Sequence, residues 1–247
     1  MPVSETFVIA FLFFVGAALY ASVGHGGASS YLAVMGLFNF APAVMKPTAL
    51  ALNILVAGVA AVRFYRAGLF KWDLFWPFAL ASIPAAFIGG ATMLPARWYK
   101  VVVGLVLSYA AVWMFRSSLR ALTKETHAPP LWAAVVAGLA IGFLSGLTGV
   151  GGGIFLSPLL LYTGWADTRA TSGVAAPFIL VNSIAGLLGH VASVAQLPAN
   201  LPVWAAAAVT GGLIGATYGS RRAPVPVLRQ LLSLVLIVAG AKLVLGS

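Results

Sequence analysis

Two stretches of this chain, residues 6–45 and 131–166, contain no Asp, Glu, Lys or Arg, and each is interrupted by a cluster of glycines. The clusters are Gly24-His25-Gly26-Gly27-Ala28 and Gly149-Val150-Gly151-Gly152-Gly153. Uncharged runs of that length cross a bilayer, and consecutive residues with little or no side chain break the helix within them. The break strands N–H and C=O groups, which hydrocarbon tolerates only where protein or a wet cavity satisfies them. The pair of breaks reads as the core of a transport site.

With 62% hydrophobic and 7% charged residues, against about a quarter charged in soluble domains, no soluble fold could cover its surface. At about 20 residues per crossing, the 247 residues allow roughly eight to ten membrane helical segments and almost nothing else. The expected fold is an all-α polytopic integral membrane protein forming a single transmembrane domain over 1–247. The net charge of +10 sits at the ends of apolar runs, as orientation signals do, and does not imply nucleic acid. There is no cysteine, and no paired carboxylates or metal-ligand cluster, so neither an enzyme nor a metal site nor a cofactor is expected.

In chain order, residues 6–22 form a first helix, preceded by Glu5 and no Lys or Arg; this flank is wrong for a signal peptide, so the helix is expected to be retained. After the first break comes a short helix from Ala28 to about Phe40. Helices over Thr48–Phe64, Leu74–Leu94 and Val101–Phe115 follow, with Trp72, Trp76, Trp98 and Tyr99 as expected interfacial anchors. The polar stretch 116–130 separates this half from a second: Leu131–Thr148, the second break, Ile154–Thr163, Ser172–Ala195, Trp204–Ser220 and Leu231–Leu245. Gly24, Gly26 and Gly27 lie 125 positions before Gly149, Gly151 and Gly152, and Trp76 lies 128 before Trp204. Asn53 with Gly58 corresponds to Asn182 with Gly186. We read two homologous halves, about 6–116 and 131–247, joined by the linker 117–130.

The basic residues predict how the halves are related. If each half reverses the chain an odd number of times, the 14 Lys and Arg divide 10 against 4, with only Lys46, Arg97, Lys100 and Lys242 on the minor side. An even number divides them 7 against 7. The bias favours inverted repeats with a cytoplasmic linker and both termini outside. Inverted repeats of secondary transporters bring broken helices together near the bilayer midplane. Five crossings per half, or three plus a hairpin that dips in and returns, both satisfy the parity.

The short helices start just after the glycines, so their N-termini offer unpaired N–H groups and positive dipole ends, which suits an anion. Candidate site residues are therefore Gly24, His25, Gly26, Gly27, Ser29 and Ser30 at the first break, and Thr148, Gly149, Gly151, Gly152 and Gly153 at the second. Asn53 and Asn182 occupy corresponding places in the following helices, and His190 lies eight residues after Asn182 on nearly the same face. Lys46 and Arg169 read as loop charges at the membrane interface. The competing reading, that the glycines only permit close packing, suits spaced glycines better than consecutive ones.

Gly149-Val150-Gly151-Gly152-Gly153 through Pro158, followed by Ala170-Thr171-Ser172, resembles the sulfite exporter TauE/SafE family, also called the toluene sulfonate uptake permease family. A weaker copy runs from Gly24 to Tyr31, then Pro47-Thr48 and Asn53. The resemblance implies a multi-pass transporter in the bacterial plasma (inner) membrane that carries small sulfur-containing anions such as sulfite or organosulfonates. It adds Thr171 and Ser172 to the candidate site. The copies differ where His25 stands opposite Val150 and Lys46-Pro47-Thr48 opposite Thr171-Ser172-Gly173.

No carboxylate falls within a span, so an acidic proton relay is not expected. An inside-negative potential drives an anion outward by about 2.3 kcal/mol per charge per 100 mV, which favours facilitated export. The alternatives are an anion channel and an uptake permease coupled to protons through His25 or His190. Expected partners are the anionic substrate and the lipid bilayer, with a homo-oligomer left open.

Overall fold

The computed structural model describes residues 3–119, 126–190, 197–221 and 226–245, and among them the chain forms ten α-helices and no strand. They are α1 (Val3–Ala21), α2 (Ala28–Leu37), α3 (Pro42–Arg66), α4 (Trp72–Ala91), α5 (Ala96–Leu119), α6 (Leu131–Thr148), α7 (Gly153–Thr163), α8 (Thr168–Gly189), α9 (Leu201–Arg221) and α10 (Pro226–Leu245). Seven of these are long and apolar enough to cross a membrane; α2, α7 and the stretch Ser233–Leu245 of α10 are shorter apolar helices. The protein is a multi-pass integral membrane protein.

Local chemistry explains the boundaries, including two that differ from expectation. Helix α3 starts at Pro42, not at Thr48, because proline at the first helical position needs no N–H partner and has a helical φ already. That extension takes Lys46 and Pro47 into the helix. Helix α8 starts at Thr168, not at Ser172, because the Asp167 carboxylate accepts a bond from the Ala170 N–H at 2.8 Å. Helix α6 stops where Gly149 takes φ 86°, and α2 and α7 open from Gly27 and Gly152 at φ 97° and 83°.

Of the expected interfacial anchors, Trp72, Trp76 and Trp98 stand on the outer surface, and the first two stack at 5.6 Å. Tyr99 does not: it is buried, and its hydroxyl donates to the Thr148 carbonyl at 2.9 Å, closing the end of α6. Trp204 matches Trp76 in spacing but not in surroundings. It is fully buried between Phe13 and Phe40 and donates its indole N–H to the Thr6 carbonyl at 3.2 Å.

Spaced glycines set the helix contacts. Gly138, Gly142 and Gly146 of α6 lie in order against the backbones of Phe78, Ser82 and Ala86 of α4, so these helices run parallel. In the same way Gly211 and Gly215 of α9 lie against Phe14 and Ala18 of α1, and Gly219 against Ser22 just beyond it. Such small-residue seams let backbones approach where a lipid solvent supplies no hydrophobic drive. Helices α3 and α8 run antiparallel, with Gly58 near Leu180, Asn53 bonded to Ser183 and Gly186 near Leu50. Helices α5 and α10 also pair antiparallel, through Gly104 with Val244 and Ser108 with Gly240. Helix α4 rests on α6 and borders α8, and α9 rests on α1 and borders α3.

Following these directions through the bundle, Arg63, Arg66, Lys71, Arg116, Arg169 and Arg221 fall at helix ends on the face where the linker lies. Lys46, Arg97, Lys100 and Lys242 fall toward the opposite face. Arg120, Lys124, Glu125 and Arg222 lie outside the described residues, as does the side chain of Arg229.

Candidate functional site

The breaks turn near opposite faces and converge inside the bundle. After α1 the chain reverses at Gly24, φ 78°, packed on the backbone of Ser172 in the first turns of α8. After α6 it reverses at Gly149, packed on the backbone of Lys46 near the start of α3. Since α3 and α8 are antiparallel, the two segments then approach each other. Gly26 and Gly151 both lie against the Asn53 carboxamide and the Ile179 side chain, with no room for a Cβ on either.

Asn53 ties the junction together. Fully buried, it accepts from the Ala28 N–H at 3.2 Å and donates to Ser183 Oγ at 2.9 Å and the Val150 carbonyl at 3.4 Å. One carboxamide thus joins the N-terminus of α2, the second break and α8. His25 reaches across in the same way: its Nε2 lies 3.1 Å from the Gly153 carbonyl and 3.1 Å from Ser157 Oγ, and its Nδ1 lies 3.1 Å from the Val23 carbonyl. Carbonyls only accept, so donating to both of them requires the imidazolium; a neutral ring donates to one.

The two short helices end differently at this junction. In α2 the Ser30 and Tyr31 N–H groups bond back to the Gly27 carbonyl and Asn53 takes Ala28. In α7 the first bonds run from the Phe155 and Leu156 N–H groups to the Gly152 carbonyl, which leaves Gly153 and Ile154 without intrahelical acceptors. Asn182 of α8 does not cap them. Its Nδ2 donates to the Phe178 carbonyl of its own helix at 2.8 Å, and its buried Oδ1 has no hydrogen-bond partner.

The remaining predicted residues separate from this cluster to different degrees. Gly152 packs on Ile141, Phe178 and Ser145. Ser30 Oγ donates to the Gly27 carbonyl at 2.7 Å and holds α2 against Gly16 of α1. Ser29 is buried beside Tyr20, neither hydroxyl meeting hydrogen-bond geometry. Thr148 Oγ1 bonds back to Leu144 at 2.7 Å within α6. Thr171 is buried with an unpartnered hydroxyl, and Ser172 serves through its backbone against Gly24.

His190 caps the end of α8 near Lys46, toward the face where Gly149 turns. Burial, and then the Lys46 ammonium, hold its imidazole below the usual histidine value against an opposing pull from the Gly90 backbone. Three residues at the junction were not predicted: Ser157, one turn into α7; Ile179; and Ser183, adjacent to Asn182. The adjacency of Ser183 and the one-turn spacing of Ser157 from Gly153 were the signals available for the two serines.

Lys46 is not a loop charge. It is buried in α3, and its ammonium donates to the Gly90 carbonyl at 2.8 Å and the Gly89 and Thr92 carbonyls at 3.3 Å, closing the C-terminus of α4. Its three donors are thereby used. Lys46→Met is expected to leave these carbonyls unpaired and to lower stability by about 1–3 kcal/mol. Thermal unfolding of purified protein would check this, against an expected change near zero for exposed Arg97→Met.

Among the described residues no three His, Cys, Asp or Glu side chains meet as metal ligands. The groups at the junction are backbone amides, hydroxyls, a carboxamide and an imidazole, whose chemistry is suited to small polar solutes.

Comparison with known proteins agrees with this transport architecture. The chain is 44% identical over 243 residues to the "Probable membrane transporter protein y4hK" of Sinorhizobium fredii, covering 97% of this chain and 98% of that one. It is 26% identical over 252 residues to the "Probable membrane transporter protein YjnA" of Bacillus subtilis, covering 94% and 96% respectively. No solved structure matches it. The family model described as "Sulfite exporter TauE/SafE" matches residues 8–243. The chain belongs to the sulfite exporter TauE/SafE family and is a membrane transporter, not an enzyme.

Proposed function

We propose that the junction of the two glycine breaks is the substrate site, and that the protein carries a small sulfur-containing anion, a sulfite or a sulfonate, outward across the bacterial plasma membrane by facilitated transport. The observation that carries this reading is the uncapped N-terminus of α7, whose Gly153 and Ile154 N–H groups lack intrahelical acceptors beside His25 and Ser157. A helix N-terminus inside a low-dielectric bundle attracts an anion through its amides and its dipole. The antiparallel pairings of α3 with α8 and α5 with α10 support a reading of the halves as inverted repeats. The basic helix ends support a cytoplasmic linker face.

In proteoliposomes with a clamped potential, efflux of sulfite or a small sulfonate is expected to saturate, to follow the potential, and to persist when the pH gradient is collapsed. Non-saturating flux at channel rates would point to a pore instead. A second reading, uptake coupled to protons, draws on His25, whose two ring nitrogens face carbonyls of different breaks and satisfy both only when protonated. Uphill uptake driven by a proton gradient alone, and lost in His25→Gln, would establish that reading and overturn export.

A further inference from the structure

On the linker-side face, where α3 and α9 end together, an open cavity of about 570 Å³ is lined by Arg63, Leu213, Ile214, Thr217, Tyr218 and Arg221. Leu213, Thr217 and Arg221 follow one another at four-residue steps on α9, with Ile214 and Tyr218 alongside. The wall is therefore a stripe running from apolar at depth to basic at the helix end. Leu213, Ile214 and Tyr218 are exposed on the outside of the bundle, where hydrocarbon lies. Among the described residues, none of the carboxylates, Glu5, Asp73 and Asp167, lines the cavity.

We propose that this cavity binds the headgroup of an anionic phospholipid, its phosphate held between the Arg63 and Arg221 guanidiniums and an acyl chain lying along Leu213 and Ile214. Guanidinium pairs match phosphate oxygens in a forked geometry that a lysine does not provide. Basic pockets between transmembrane helices at the cytoplasmic leaflet are where anionic lipids concentrate. A free phosphate would use the arginines and leave the apolar wall bare, whereas a phospholipid covers both. The site joins α3 of the first half to α9 of the second, so the bound lipid bridges the halves. The inference is independent of which solute the protein carries.

Thermal unfolding of the delipidated full chain in a neutral detergent tests it, with phosphatidylglycerol, phosphatidylcholine or inorganic phosphate added. Phosphatidylglycerol is expected to raise the unfolding temperature of the wild-type chain and of Arg116→Gln, an exposed basic residue outside the cavity on the same face. The rise should disappear in Arg63→Gln/Arg221→Gln. An equal rise with phosphatidylcholine, a rise with inorganic phosphate alone, retention of the rise in the double variant, or its loss in Arg116→Gln would each overturn the proposal. Should the double variant not fold, Ile214→Trp fills the apolar wall instead. Native mass spectrometry should then show less phosphatidylglycerol retained than in the wild type, and equal retention would overturn the proposal.

Discussion

Gly151→Leu is expected to abolish flux in proteoliposomes, while Gly68→Leu transports at close to the wild-type rate. Both positions have positive φ, 84° and 71°, so a side chain at either costs about 1–2 kcal/mol of backbone strain. They differ in space. A Cβ at Gly68 meets nothing within 4 Å, whereas at Gly151 it falls on Asn53 Nδ2, Ile179 and Ser183 Oγ. Overpacking of that kind adds about 1–3 kcal/mol, and the atoms displaced are those that hold the breaks together. Gly26→Leu separates the two causes, because Gly26 has an ordinary φ and only the clash with Asn53 and Ile179. Its flux is expected to fall nearly as far as that of Gly151→Leu. Size-exclusion profiles should show both variants assembled, and normal transport by assembled Gly151→Leu would remove the junction from the transport path.

The second large effect concerns the two asparagines that follow the breaks, Asn53 in α3 and Asn182 in α8. Asn53→Ala strips partners from the Ala28 N–H, the Ser183 hydroxyl and the Val150 carbonyl at once. Each buried group left unsatisfied costs about 1–3 kcal/mol, so Asn53→Ala is expected to unfold at a clearly lower temperature and to lose transport. Asn182→Ala gives up only a bond to its own helix and removes a buried oxygen that has no partner, so its unfolding temperature should stay close to wild type. Its effect, on the proposed function, belongs to flux: a raised half-saturating anion concentration with stability unchanged. Equal destabilisation by the two substitutions would mean that Asn182 makes contacts in the membrane that this arrangement lacks.

The membrane class and the positions of the breaks were legible because both rest on local chemistry: uncharged runs long enough to cross, and glycines that end a helix wherever they cluster. That Asn53 and Asn182 follow the two breaks at similar spacings was legible. Their different employment was not, since which acceptor a carboxamide chooses depends on a helix end delivered from elsewhere in the chain. Lys46 and Tyr99 were misplaced for a related reason. Each satisfies carbonyls at the end of a helix more than forty residues away in sequence, α4 for Lys46 and α6 for Tyr99, and a polar side chain near a helix terminus reads as interfacial until that partner is known. Trp204 shows the converse: a shared residue type at a regular offset does not carry a shared environment.

The glycine seams distribute freedom to change unevenly. The α1–α9 seam takes its glycines from α9 alone, against the backbones of Phe14, Ala18 and Ser22, whereas the α4–α6 seam takes them from both helices, Gly89 of α4 lying on the Phe143 backbone as Gly138, Gly142 and Gly146 of α6 lie on Phe78, Ser82 and Ala86. A carbonyl is common to every residue type, so the part-buried Phe14, Ala18 and Ser22 can change identity more readily than the glycines facing them, whereas Phe78, Ser82 and Ala86 are fully buried and are held by their own packing. Tolerance to substitution is therefore expected to be greatest along the α1 side of its seam with α9, and least where α4 and α6 each press a glycine onto the other's backbone.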